Sequence, residues 1–561
     1  MRCLFAVALV TMCGWAATWA QDDVASEMER DVVLRALVDE LGRSLAGLQL
    51  PGLEPPYFIE FGLADVAYAS AGAKLGATTG RNAGRQRGLY TDVRVGSYDL
   101  DNSNFSGGGV DFSGFGGGGM GDVEVPIEDD YTALRQAIWW AADRDYKGVV
   151  EQLAKKKAFM ESKVITDKPP DFSREAPAVH LEDRLDLTLD ADVLETLAVD
   201  LSGVFREFPD VQDSSVTVSA VLANRYMVNS EGTRLRLGSS AWTVSVNATV
   251  QADDGMKLSD SLNLPALRME ELPARDDLVQ RCRDLAQRLV ALRNAPVLES
   301  YTGPVLFDPP AAVGVFQRQF GSAFAGGQRP VGSRTNPDDL ANKLNKRILP
   351  RFLHVVDDPS LATLAGEPVL GCYTIDDQGV PAQTVKLVEE GRLLTLLMSR
   401  NPSKEIRQSN GHGRGGWGLP QVGIGCLVVT ADPGLDADAL KQELLDAVAD
   451  EGLEFGVRVA SLGAVGDGGR GGTNPLLMYK VYPDGREELV RGAEIARIDF
   501  KAFKRIMAAG DTPFVRNISY GLLGQTVAVP ALLFEELDLA KIDRDFDKPP
   551  ILPAPLARAA N

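Results

Sequence analysis

Side chains that do most enzymatic chemistry are scarce in this chain. Its 561 residues include only three histidines, His180, His354 and His412, which restricts imidazole chemistry severely. Cys3 and Cys13 fall near the start, and Cys282, Cys372 and Cys426 follow. An odd set of three allows one disulfide at most, and no Cys-x-x-Cys pair suggests a structural zinc. The candidates to hold a metal are His354, His412, Cys372 and Cys426, and a catalytic zinc needs three that converge. Cys372 and Cys426 sit in apolar strand contexts, where a buried, inert thiol is the default. His354 precedes Val355-Val356 and reads as a core or rim residue. His412 lies beside Arg414 in a glycine-rich loop, placed either at a cleft or at the surface.

Other chemistries lack their motifs. Gly114-Phe115-Gly116-Gly117-Gly118-Gly119 and Gly411-His412-Gly413-Arg414-Gly415-Gly416 both fit Gly-x-Gly-x-x-Gly. A dinucleotide fingerprint must join a strand to a helix whose N-terminus meets the pyrophosphate. The first stretch sits in low-complexity sequence, and the second leads to Trp417 and Pro420 instead of a helix. There is no Walker-type phosphate loop, no Gly-x-Ser-x-Gly elbow and no His-Glu-x-x-His pair.

The elements that would position a site read as α+β with mixed sheets. Residues 1–20 have the form of a secretory leader: Arg2, then small and apolar residues to Ala17, then Thr18-Trp19-Ala20 before polar Gln21. Met12 before Cys13 argues against a lipoprotein signal, and no later segment is apolar for long enough to be a transmembrane helix. The expectation is export to a periplasm or beyond. A formal charge of −20 argues against a nucleic-acid partner and suits solubility. Apolar spacing predicts helices over Met28–Leu48, Asp130–Lys163, Ala191–Glu207, Asp276–Arg293, Ala311–Phe324, Asp338–Leu349 and Asp436–Asp450. Lys155-Lys156-Lys157 reads as a solvated helix face. Strands are expected over Tyr57–Lys74, Gly88–Leu100, Ser215–Ala252 with a turn at Asn229-Ser230-Glu231-Gly232, and Gly303–Phe307. Hairpins follow from Val369, turning at Asp377-Gln378-Gly379, Glu390-Gly391 and Pro483-Asp484-Gly485. The resulting division is a leader, an N-terminal part over 21–295 with a glycine-rich loop at 102–121, a C-terminal part over 296–545, and a Pro/Ala-rich tail over 546–561.

The discriminating residues lie in the second half. The run Gly371-Cys372-Tyr373-Thr374-Ile375-Asp376-Asp377-Gln378-Gly379-Val380-Pro381-Ala382-Gln383 precedes an apolar strand and Glu390-Gly391-Arg392-Leu393. It resembles the Asp-Asp-Glu-Gly-Val-Pro-Ala-Gln hairpin of the TldD/PmbA metallopeptidase family. Gly303–Phe307 and the helix after it resemble the strand and helix that carry that family's active site. Asn229-Ser230-Glu231-Gly232, Ser409-Asn410-Gly411, Val490-Arg491-Gly492 and Gly524-Gln525-Thr526-Val527 also look like family positions. The resemblance runs from about residue 30 to 540 and is most specific in the second half.

That resemblance implies a two-domain architecture with mixed or antiparallel sheets and flanking helices. It also implies a zinc peptidase, in which a helical His-Glu-x-x-x-His and a cysteine near the C-terminus hold the metal and the glutamate acts as general base. Here the corresponding positions are Gln317, Arg318 and Ser322, with Tyr520 at the cysteine. A guanidinium cannot accept a proton at neutral pH. The expectation is therefore an exported homologue with a degenerate site and no metal. It would bind a peptide or a protein partner, as a homodimer or beside a family homologue, since the family's TldE/PmbA subunit also lacks the motif and pairs with catalytic TldD. His412 and Arg414 are its cleft candidates. An active peptidase with an unfamiliar metal site and a structural envelope protein are the alternatives.

Overall fold

Small and apolar residues alternate along the longest strands. In Pro56–Lys74 the odd positions Ile59, Phe61, Leu63, Ala67, Ala69, Ala71 and Ala73 are buried on one face. The computed structural model describes residues 26–556 except 28, 107–122, 124, 166–167, 334–338, 416–418, 464–473, 497, 544 and 553. The proposed leader, most of the glycine-rich loop and its first Gly-x-Gly-x-x-Gly stretch lie outside the described residues.

The described fold is α+β, with three large mixed or antiparallel sheets. Its α-helices are α1 (Val32–Gly47), α2 (Tyr131–Lys163), α3 (Ala191–Gly203), α4 (Arg275–Arg293), α5 (Pro309–Phe320), α6 (Ala437–Asp450) and α7 (Phe500–Lys504). Aspartates start several of them: Asp31, Asp130 and Asp436 accept first-turn backbone N–H groups with their side chains.

The first sheet runs in the order Ala77–Val95, Pro56–Lys74, Asp213–Asn229, Arg234–Gln251. The last of these pairs with Val179–Leu181 along one stretch and with Lys257–Ala266 along another. α1 and α2 cover one end of a single face, packing on Ile59, Phe61, Leu63, Tyr226 and Val228. α3 and α4 cover the other end, on Ala69, Ala71, Val216, Val218 and Val244. Between them Asp65 is buried against Arg85 and Arg87, whose guanidinium groups lie 2.6 and 2.7 Å from it.

The second half holds two sheets with α5 between them. One includes Leu353–Asp357, Cys426–Ala431, Leu523–Val529 and Phe514–Tyr520. The other includes Pro475–Val481, Gly456–Leu462, Ser300–Phe307 and Leu532–Lys541. α5 packs on strands of both. It supplies Val313, Phe316 and Phe320 to the core, and Phe316 stacks on Phe320 at 4.6 Å.

Some expectations change. The second strand begins at Ala77 rather than Gly88, although Ala77–Gln86 is almost wholly exposed. Pairing with Pro56–Lys74 extends it where no apolar pattern would. The helix expected over 338–349 is a single 3-10 turn, Leu340–Lys343. Asn345, Ile348 and Leu349 instead donate their N–H groups to the carbonyls of Leu393 and Gly391. Lys156 is not solvated: it is fully buried, its ammonium 2.6 Å from Asp171 and also donating to the carbonyls of Asp101 and Ser103.

Candidate functional site

The Gly371–Gln383 run folds into a tight, buried turn. Asp376 accepts N–H groups from Gln378 and Val380 on one oxygen and from Gly413 on the other, at 2.8–2.9 Å. Burial pushes its carboxyl up to about 7. Burial also acts on Asp377, but Arg225, Arg414 and the N–H of Gly415 outweigh it and bring this carboxyl down to about 2. Arg225 comes from the first sheet and sits 2.6 Å from Asp377, so this hairpin ties the two halves together.

The same contacts explain the second glycine-rich stretch. Gly411 has φ +76, and a Cβ there would lie 2.3 Å from the carbonyl oxygen of Pro381. A Cβ on Gly413 would meet the Gln378 side chain at 2.4 Å. Gly413–Arg414 is a short strand paired with Gln421–Val422, and among the described residues no helix follows it to meet a dinucleotide. These glycines let the loop pass close under the two aspartates.

His412 is fully buried. Its Nδ1 donates to Asn410 at 3.0 Å, and its Nε2 stands 3.4 Å from Asp357 Oδ1. Asp357 in turn accepts the N–H groups of Gly425 and Cys426. His412 does not line the cleft that Arg414 borders. The Arg414 guanidinium lies 3.9 Å from the centre of the Tyr373 ring. Of the thiols, Cys426 is buried and pushed up to about 12, and Cys282 is buried as well. Cys372, expected to be buried, is exposed. His354 is half-buried and accepts the N–H of Glu390, as a rim residue would.

Arg414, Tyr373 and Cys372 line a cleft of about 290 Å³ between the first sheet and the hairpin Phe514–Val529. Across it lies the stretch Leu237–Ala241 of the strand Arg234–Gln251. Val179–Leu181 pairs with that strand as far as Arg236, and Lys257–Ala266 takes over from Trp242. Among the described residues no strand pairs with Leu237–Ala241 on that edge. Gly238 turns its N–H outward, donating it at 2.8 Å to Glu182 Oε2. Strand alternation therefore points the N–H and C=O of Ser240 outward too. Sequence reasoning missed this edge, because the gap depends on where two distant strands stop.

Among the described residues, the positions that the family resemblance assigns to metal ligands are not assembled into a donor set. Gln317 is half-buried near the end of α5, Arg318 and Ser322 are exposed, and Tyr520 closes the strand Phe514–Tyr520. α5 does pack against that strand and its partner. Among the described residues no three His, Cys, Asp or Glu side chains form a metal-holding group. An amide, a guanidinium and a hydroxyl do not suit a zinc ion, and the guanidinium would repel it.

Comparison with known proteins agrees with the fold. Residues 300–541 match the model of the PmbA/TldA metallopeptidase C-terminal domain. A metalloprotease of Archaeoglobus fulgidus is 26% identical over 250 residues, 44% of this chain and 51% of its own. A metalloprotease of Synechocystis is 30% identical over 183 residues, 32% of this chain and 36% of its own. The matches thus span about half of these relatives or less. Among solved structures, TldE from Thermococcus kodakarensis has a TM-score of 0.55 at 16% identity, covering 86% of this chain and 97% of its own. A Thermotoga maritima protein described as a candidate modulator of a DNA gyrase has a TM-score of 0.57 at 14% identity, covering 86% and 96%. At these identities the likeness is one of fold.

Proposed function

We propose that this chain, whose residues 300–541 match the PmbA/TldA metallopeptidase C-terminal domain, is a member of the PmbA/TldD family that acts as a peptide-binding or partner subunit and does not use the family's zinc chemistry. The observation that carries the reading is the donor set. Gln317, Arg318 and Ser322 stand where the resemblance implies two histidines and a glutamate, and no other His, Cys, Asp or Glu trio takes their place among the described residues. The edge at Leu237–Ala241, which no described strand pairs and where the backbone N–H of Ser240 points outward, supplies a mode of binding in its stead, since an extended peptide can add there by main-chain hydrogen bonds. The likeness of fold to a TldE supports a partner role beside a catalytic homologue. The leader-like residues 1–20 support export, which makes the periplasm the proposed site of action.

Two measurements on the mature protein, purified without chelator, test this. Elemental analysis should find no stoichiometric zinc. An extended peptide should bind, and Ser240→Pro should weaken it by removing an outward N–H at a position where a strand tolerates proline. Stoichiometric zinc with chelator-sensitive cleavage would overturn the reading in favour of an active peptidase. The absence of both zinc and peptide affinity would overturn it in favour of a structural envelope role.

A further inference from the structure

A second cleft, of about 470 Å³, opens between the two halves. It shares no lining residue with the cleft at Leu237–Ala241. The first half contributes Arg94, Gln152 and Asp171, and the second contributes Gln328, Asn401 and Gln421. Its volume suits a small molecule, since such sites run from roughly 300 to 1,000 Å³.

Asp171 is fully buried in the lining. Its Oδ2 is crowded, accepting the backbone N–H of Asp101 at 2.9 Å and the Lys156 ammonium at 2.6 Å, with Lys168 at 3.0 Å. Its Oδ1 is buried as well, and among the described residues nothing donates to it. Asn401 has the same asymmetry. Its Nδ2 donates to the Gln328 carbonyl at 3.4 Å, while its buried Oδ1 has no donor among the described residues. Buried acceptors are ordinarily paired, so two of them in one cleft favour a ligand that brings donors. The charges constrain that ligand. Asp92, Arg94 and Asp171 are the charged residues of the lining. Arg94 is paired with Asp92 at 2.8 Å and Asp101 at 3.2 Å, and Asp171 with the two lysines. An ionic ligand would find no unpaired counter-charge here. A cation would also meet Lys156 and Lys168, and a carboxylate or phosphate has no proton to donate.

We propose that this cleft binds a neutral saccharide of one or two rings, with ring hydroxyls donating to Asp171 Oδ1 and Asn401 Oδ1. A hydroxyl is an uncharged donor, which is what both oxygens require, and it accepts as readily as it donates. The side-chain amides of Gln152 and Gln421, which also line the cleft, offer both roles in return. A sugar presents several such groups side by side on a compact ring. The site is separate from the peptide-binding edge and does not depend on that reading.

The test uses the full mature chain and saturation-transfer NMR with glucose, galactose, mannose, N-acetylglucosamine, maltose and cellobiose. At least one should bind. Its deoxyfluoro forms, each with one hydroxyl replaced by fluorine, keep the size of the sugar and lose one donor. Fluorination should weaken binding about tenfold at two positions or more, one for each unpaired oxygen. Asn401→Leu should weaken the parent sugar by about tenfold and abolish the fluorine effect at one of those positions. Binding of none of the six sugars overturns the proposal. So does a sugar whose deoxyfluoro forms all bind as well as the parent, or one whose affinity is unmoved by a folded Asn401→Leu. Should Asn401→Leu unfold, the fluorine series on the unaltered chain decides alone. Peptide addition at Ser240 can hold or fail without changing any of these outcomes.

Discussion

Arg400 and Glu231 meet across the junction of the two halves in a bidentate ion pair, Nη1 to Oε2 at 2.6 Å and Nη2 to Oε1 at 2.8 Å. Arg400 is 1% exposed and Glu231 15%. The guanidinium also donates to the carbonyl of Ser173 and lies 4.0 Å from the centre of the Phe172 ring. Glu231 accepts from the Tyr98 hydroxyl as well. The Asn229–Gly232 turn thus serves as a structural clasp.

Breaking the clasp from one side should be costly. Arg400→Met leaves the Glu231 carboxylate buried without its counterion, and about 3–5 kcal/mol of stability should be lost. Arg400→Met combined with Glu231→Gln should lose less than the single change, because no charge is stranded. Urea denaturation of the two variants checks this. A loss below about 1 kcal/mol for Arg400→Met would show that water reaches Glu231 and that the pair does not hold the halves.

This clasp also marks the limit of what the sequence discloses. Helices with regular apolar spacing, such as α2 and α6, are legible because their periodicity reflects a buried face. Leu340, Leu344 and Ile348 have the same spacing, yet the chain there is bent by Asn345 at φ +61 and bonded to a distant hairpin. Lys156 reads as part of a solvated run until Asp171 and the carbonyls near Asp101 are brought to it. The family-like motifs at Glu231, Asp377 and Asn410 are visible as patterns. That they lock backbone turns and join halves is a tertiary fact, since each acts on residues far away in sequence. Of the two cleft candidates, Arg414 lines a cleft, whereas His412, its neighbour but one, is sealed in the core.

Glu60 should make stability fall with rising pH. Burial first, and then the nearby charge of Asp92, push its carboxyl from 4.5 up to about 8, and its side-chain partner is the Tyr90 hydroxyl at 3.2 Å. The folded chain therefore holds this proton more tightly than the unfolded chain. Its favourable contribution is complete below the unfolded value and is lost as pH rises through the folded one, over a window from about 4.5 to about 8. Glu60→Gln mimics the protonated acid and should be more stable than the parent at pH 8 by on the order of a few kcal/mol. At pH 4 the two should be similar. Thermal melts across this range decide it, and an unchanged pH slope in Glu60→Gln would count against the burial argument.

Glycine acts by close approach at Gly371. A Cβ there would stand 1.9 Å from the Gly425 carbonyl oxygen and 2.9 Å from the Thr526 nitrogen, both backbone atoms. Gly371→Ala must displace a strand of the second sheet, and a loss of about 3 kcal/mol or more is expected. Gly148, inside α2, has nothing within 4 Å of its Cβ position. Gly148→Ala should instead stabilise by about 0.5–1 kcal/mol through helix propensity alone. Denaturation midpoints of the two variants should move in opposite directions, and a tolerated Gly371→Ala would mean that the two strands can separate freely.

Restoring the histidines should not by itself restore a metallopeptidase. Gln317 lies within α5 and Ser322 just beyond its end, so Gln317→His with Ser322→His returns two imidazoles to the positions the family resemblance assigns. Tyr520 would still stand at the third ligand's place. Arg318 would still put a permanent cation where a general base is needed, and its charge would oppose a dication beside it. The double variant should take up little zinc and show no zinc-dependent cleavage of an unstructured peptide. Adding Arg318→Glu and Tyr520→Cys supplies the missing base and thiolate, and cobalt substitution should then give the absorption of a tetrahedral site with one sulfur ligand. Appreciable zinc-dependent turnover by the double variant alone would mean that other groups near α5 complete the site, and the degenerate reading would fail with it.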